Sequence, residues 1–221
     1  SPAVTLDGGQ LVADSLAVDA AAGIASLTIN AGGVAESAAL TVGPGGLVSL
    51  PEATRLSNGL ASLAVDETTG GGLVDLGAGQ LSIAAGGITA EALRADLIAG
   101  RSGGTWGGLT GITSAAAAGS GGTRAVGYVV AGDTSARVSY AAPGDIDLSG
   151  QVNVIDLVGI DAAGTFGSGQ AADWSQGDFN YDGVTNILDL IAIDTAGVFG
   201  AGDYFPPGPT AAGAGLSVAA V

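Results

Sequence analysis

The 221-residue chain contains no Cys, Met, His or Lys, and its five cations are all Arg. Without Cys there is no disulfide frame, so thiol usage says nothing of the redox compartment. The formal charge of −16 excludes a protein that tracks nucleic-acid phosphates, which needs a basic face. It argues equally against docking on an anionic membrane surface. No run of about 18 apolar residues exists, so no membrane insertion is expected. Charged residues are only 12%, too few for an acidic disordered chain. The chain opens at Ser1-Pro2 with no initiator Met and no leader, as expected of a processed mature form or an excised fragment.

The same absences bear on catalysis. Polysaccharide-cleaving sites need clustered carboxylates or a tuned base along a groove. Here His and Lys are missing, the acids of the first half are scattered, and no G-x-S-x-G elbow or phosphate-binding loop appears. No enzyme is expected. Trp106 and Trp174 read as packing anchors rather than sugar platforms, and Asp133, Asp161 and Asp194 as solvated acids.

What is abundant is glycine, 41 residues, with 47% hydrophobic residues and sparse aromatics. Such small side chains suit thin, tightly turned β architecture. From residue 4 to about 88 an apolar-x-apolar triplet recurs: Val4-Thr5-Leu6, Leu16-Ala17-Val18, Leu27-Thr28-Ile29, Leu40-Thr41-Val42, Leu63-Ala64-Val65, Val74-Asp75-Leu76 and Leu81-Ser82-Ile83. Gly-rich turns such as Asn30-Ala31-Gly32-Gly33 and Gly43-Pro44-Gly45-Gly46 follow several of them. Alternation bounded by Gly, Asn or Pro predicts short half-buried strands. Strands this short must share a core, so a short β-solenoid is the favoured reading of this mainly β region, with a β-sandwich as the alternative.

Thr89 can cap a helix from Ala90 to about Ala99, with Leu93, Leu97 and Ile98 on its apolar side and Gly100 as its stop. It would cover an open end of the β core. After a Gly/Ser-rich stretch, residues 125–130 and 136–140 predict a hairpin turning at Gly132-Asp133-Thr134.

Two C-terminal segments read almost alike. Asp145-Ile146-Asp147-Leu148-Ser149-Gly150-Gln151-Val152-Asn153-Val154-Ile155-Asp156 returns 33 residues later as Asp178-Phe179-Asn180-Tyr181-Asp182-Gly183-Val184-Thr185-Asn186-Ile187-Leu188-Asp189. Oxygen-bearing side chains fall at loop positions 1, 3, 5, 9 and 12, with Gly at 6, the order of an EF-hand-like calcium loop. Calcium takes six to eight oxygens at about 2.3–2.6 Å, and Gly at 6 lets the next carbonyl face the ion. The expected ligands of the first loop are Asp145, Asp147, Ser149, the Gln151 carbonyl, Asn153 through water, and Asp156. Those of the second are Asp178, Asn180, Asp182, the Val184 carbonyl, Asn186 through water, and Asp189. Each loop leads into an apolar helical stretch ending in Ala-Gly-x-Phe-Gly, and residues 145–170 match 178–203 at 12 of 26 positions. Residues 142–221 hold ten acids and no Arg, so two Ca²⁺ ions would bring that region from −10 to −6.

The duplicated loop–helix unit, over about residues 143–206, resembles a type I dockerin domain. The resemblance implies two calcium ions, a small α-helical calcium-binding domain with pseudo-twofold symmetry, and binding to a cohesin-like protein through the helices. Dockerins often carry hydroxyl residues at loop positions 10 and 11. Here Val154-Ile155 and Ile187-Leu188 stand there, which points to burial against the chain's own β region. Residues 73–206 also resemble the end of large secreted surface proteins of planctomycete-type bacteria.

The expected organisation is a glycine-rich β-repeat domain (1–88), a capping helix, Gly/Ser-rich segment and hairpin (89–142), the dockerin-like tandem-loop domain (143–206), and a Pro/Gly-rich tail (207–221). The end of that tail alternates like a strand and could add to a neighbouring sheet edge. The expected role is an extracellular or cell-surface structural protein, calcium-stabilised and self-associating head to tail into a homopolymer. The alternative is a docking module for a cohesin-like receptor.

Overall fold

The computed structural model describes residues 2–30, 34–36, 38–51, 57–132 and 134–205. Asp133 of the expected hairpin turn, Ala31, Gly32 and Gly33 of an expected Gly-rich turn, and the tail from Pro206 onward lie outside the described residues. The chain forms strands β1 (Ala3–Leu6), β2 (Gln10–Val12), β3 (Ser15–Val18), β4 (Ala25–Ile29), β5 (Val34–Glu36), β6 (Ala38–Val42), β7 (Gly46–Ser49), β8 (Ser57–Val65), β9 (Leu73–Asp75) and β10 (Gln80–Ile83). Helix α1 (Ala90–Arg101) precedes β11 (Gly111–Thr113), the short α2 (Ala115–Ala118), β12 (Ala125–Val130) and β13 (Ala136–Ala141). Helices α3 (Val154–Ala163) and α4 (Ile187–Ala196) follow the two acidic loops.

One sheet has the order β1-β4-β7-β9-β11, with every pair parallel. Its register stacks Leu27 on Val48, Val48 on Val74 and Val74 on Ile112, all buried. A second has the order β3-β6-β8-β10-β13-β12, its first four strands parallel and its last two antiparallel, and a third pairs β2 with β5 in parallel. In the second, Leu40 meets Leu63, and Ile83 meets Leu60 and Ala136. Each such Leu, Ile or Val contributes about 1.5–3 kcal/mol of burial free energy, so the stacked rows carry much of the stability. Glycine permits the tight spacing of the turns. A Cβ on Gly46 would lie 1.9 Å from the Val18 carbonyl oxygen, so no side chain fits there.

The fold class expected from the sequence is corrected by this arrangement. The chain is not a β-solenoid or antiparallel sandwich followed by a separate helical domain; it is an α/β-type fold with parallel and mixed sheets, 22% helical and 29% strand. Helices α1 and α2 enter between strands of the sheets, and the β12–β13 hairpin joins β10 antiparallel. The C-terminal segment does not bury a core apart from the rest of the chain. Its Trp174, Phe179, Tyr181 and Ile193 are buried in one cluster with Val126, Tyr128 and Val138 of the hairpin.

Helix α1 begins where expected, with Thr89 Oγ1 accepting from the Ala92 amide at 3.1 Å, and runs to Arg101 before Ser102 turns left-handed at φ 47°. Leu93 and Leu97 are buried, whereas Ile98 faces solvent. The helix lies over β11, the last strand of the first sheet. Gly100 makes the contact possible, since a Cβ there would sit 1.8 Å from the Ile112 carbonyl oxygen. Both Trp106 and Trp174 are buried.

Candidate metal centre

Residues 145–156 and 178–189 fold alike, turn for turn. Position 4 is left-handed in both, Leu148 at φ 55° and Tyr181 at φ 62°, and so is the Gly at position 6, Gly150 at 90° and Gly183 at 93°. At position 9, Asn153 and Asn186 cap α3 and α4, accepting from the amides of Ile155 and Leu188, each at 2.8 Å. Asp156 and Asp189 complete the capping boxes through the Asn153 and Asn186 amides, both at 2.9 Å. Both asparagines are thus helix caps, a role the sequence reading did not assign to them.

In the first loop Asp145, Asp147 and Asp156 converge. One carboxylate oxygen from each lies within 4.8 Å of the others, and this is the only such group of three among the described residues. Asp145 is wholly buried; burial raises its pKa to about 6, against hydrogen bonds from Tyr204 and Gly150 that favour the charge. Asp156 is raised by burial as well. Burial also opposes ionisation of exposed-edge Asp147, but hydrogen bonds with Asp145 and Ser149 outweigh it and hold its pKa low. Ser149 gives its amide to Asp145 at 3.0 Å and to Asp147 at 2.9 Å, and its hydroxyl faces the Gln151 carbonyl at 3.5 Å.

The second loop holds the same positions with different partners. Buried Asp178 receives the Gly183 amide at 3.0 Å and the Arg94 guanidinium at 3.1 Å, both on Oδ2. Its Oδ1 is buried with no hydrogen-bond partner. Burial raises the pKa of Asp178 and of Asp189. Asp182 turns toward the side-chain amides of Asn180, 3.0 Å, and Asn186, 3.2 Å, and its Oδ1 accepts from the Val184 amide at 3.0 Å. Asn180 stands where the first loop has Asp147, so the second loop does not repeat the three-carboxylate group of positions 1, 3 and 12.

The two units clasp each other. Gly200, at the end of the second unit, donates its amide to the Val152 carbonyl of the first loop at 2.8 Å. Gly167, at the end of the first unit, donates to the Thr185 carbonyl of the second loop, also at 2.8 Å. The repeated Phe-Gly pair thus serves the opposite loop. The rest of the chain fixes both: the Trp174 indole donates to the Asp145 carbonyl at 2.8 Å, and the Tyr181 hydroxyl to the Val126 carbonyl of β12 at 2.5 Å.

All these donors are hard oxygens, which suit a cation such as Ca²⁺ or Mg²⁺. Asp145 and Asp156, which burial makes reluctant to ionise, call for a compensating positive charge beside them. An unmet buried acceptor costs about 1–3 kcal/mol, and a cation beside Asp178 Oδ1 would satisfy it. The residues present fit the ion.

The expected burial of positions 10 and 11 is contradicted. Val154, Ile155, Ile187 and Leu188, in the first turns of α3 and α4, are 63%, 72%, 61% and 55% exposed, whereas Ile160 and Ile193 further along are the large apolar side chains these helices bury. Asp161 and Asp194 lie exposed on the helices. Sequence reading missed Arg94 and Tyr204, whose hydroxyl donates to Asp145 Oδ2 at 2.6 Å. Tyr204 stands one repeat period after Ala171, and that loss of symmetry was its only signal. Comparison with protein-family models, with curated proteins and with solved structures returns no match to this chain.

Proposed function

We propose that the chain is a non-enzymatic, extracellular structural protein in which two calcium ions complete the fold, and that copies of it self-associate. The observation that carries this reading is the convergence of Asp145, Asp147 and Asp156 in a loop whose backbone recurs at 178–189. Metal that binds the native state alone stabilises it, so calcium would make the fold depend on its surroundings. The resemblance to dockerin loops supports calcium as the ion.

Self-association has a surface to use. Strands β1 and β3 are edge strands of their sheets, beside a pocket of about 270 Å³ lined by Val4, Leu11, Leu16, Val18 and Leu27. Unpaired parallel edges over an apolar pocket are a template for another chain. At the opposite end α1 covers β11, and the 3₁₀ turn Trp174–Gln176 packs on β12. A head-to-tail contact would thus set the β1/β3 end against a helical surface.

A second reading, a docking module for a cohesin-like receptor, is favoured by the exposed side chains Val154, Ile155, Val158, Ile187, Leu188 and Ile191 on α3 and α4. Between these helices lies a groove of about 460 Å³ lined by Leu157, Leu190, Ile193 and Phe199. Light scattering over a dilution series, with calcium and with EDTA, separates the two. A concentration-dependent polymer supports the structural role; a monomer at every concentration that captures a cohesin supports docking. Turnover of a polysaccharide would defeat both.

A further inference from the structure

The aspartates at position 1 of the loops are clamped from outside by different groups. Asp145 Oδ2 accepts the Gly150 amide at 2.8 Å and the Tyr204 hydroxyl at 2.6 Å. Asp178 Oδ2 accepts the Gly183 amide at 3.0 Å and Arg94 Nη2 at 3.1 Å. The same Nη2 donates to the Tyr181 carbonyl at 3.1 Å, so one nitrogen ties the loop's first and fourth residues together. Ala171, which has no hydroxyl to offer, occupies the position corresponding to Tyr204, and the arginine of α1 supplies the missing donor.

Arg94 occupies Oδ2 and leaves Oδ1 free. Were the guanidinium a substitute for a metal ion, it would satisfy the carboxylate; instead Oδ1 is buried with no partner. Charge agrees with this division of labour. In the second loop the carboxylates of Asp178, Asp182 and Asp189, one guanidinium and one divalent ion sum to zero. The first loop has its own guanidinium, Arg137, donating to the Asp147 carbonyl.

We propose that Arg94 is a positioning residue for the cation of the second loop. From 84 residues upstream it holds Asp178 so that Oδ1 faces the ion, and thereby couples occupancy of that loop to the seating of α1 on β11. The proposal rests on the metal-binding reading given above. Groups that orient a ligand from outside the coordination sphere typically carry a ten- to hundredfold effect on metal affinity. The arrangement is asymmetric: removal of Arg94 weakens one loop and spares the other.

The test is an NMR-followed calcium titration of the full chain, reading the amides of Gly150 and Gly183, each bonded to its own loop's position-1 aspartate. In Arg94→Gln the Gly183 midpoint is expected at ten- to hundredfold higher calcium, with Gly150 unmoved. Arg94→Lys keeps the charge and one donor, and should shift Gly183 the same way by a smaller factor; it also serves if the glutamine variant fails to fold. An unmoved or lowered Gly183 midpoint in Arg94→Lys and Arg94→Gln overturns the proposal, and so do equal shifts of both glycines. A wild-type chain in which neither glycine responds to calcium overturns the metal reading along with it.

Discussion

Asp96 of α1 is 3% exposed yet faces a second carboxyl, Glu67, from the segment after β8. Burial, then the hydrogen bond and charge of Glu67, raise its pKa to about 8. The folded state therefore holds a proton that the unfolded chain releases near 3.8. The stability Asp96 contributes is complete below that value and is lost as pH rises through 8. Asp96→Asn is expected to flatten the decline in urea-melt midpoint between pH 5 and 8, most visibly at the alkaline end. Asp147→Asn makes a separate test of the first loop. Exposed Asp147 holds little of the fold, so stability in EDTA should change by less than about 0.5 kcal/mol, while equilibrium dialysis should show one of two calcium ions weakened. Part of this local chemistry was legible in the sequence: the spacing of Asp145, Asp147 and Asp156 brings them together, and both loop glycines take the left-handed turn expected of position 6. Arg94 and Tyr204 were not, because their partners lie 84 and 59 residues away.

The helices obey the same division between local and distant causes. Thr89, Asn153 and Asn186 each start a helix through a cap that sequence alone can supply. What a helix packs against is set elsewhere. The apolar residues at positions 10 and 11 were expected to be buried, but α3 and α4 turn them to solvent while Ile160 and Ile193 face inward. Ile155→Asp with Leu188→Asp should leave the melting temperature nearly unchanged, since neither side chain is in the core; a receptor that docks on this face should lose binding. For α1 the decisive contact is Gly100 on β11. Gly100→Ala has no space for its Cβ and should cost about 3 kcal/mol or more in a denaturant melt. Because α1 carries Arg94, the same variant should also weaken calcium binding at the second loop.

Across the molecule, the seven apolar triplets fall in or at the edge of strands, since period-two alternation is a property of neighbouring residues. Sheet membership is not. Nothing in residues 90–118 announces that α1 and α2 would be inserted around β11, and nothing in the hairpin's sequence specifies that β13 would pair antiparallel with β10. The C-terminal loops looked like a separate unit because their repeat is so regular, yet Trp174 and Tyr181 are buried against the hairpin. Through that shared core, an ion bound in either loop would act on the whole chain. An ion at about one hundred times its dissociation constant stabilises the native state by about 2.7 kcal/mol, and a chain of this size shifts its melting temperature by about 2–4 °C per kcal/mol. Differential scanning calorimetry of the full chain, in excess calcium and after EDTA, measures this effect. Two structural ions should give a single transition that falls by roughly 10–20 °C on chelation; a melting temperature unchanged by EDTA would contradict the calcium-completed fold.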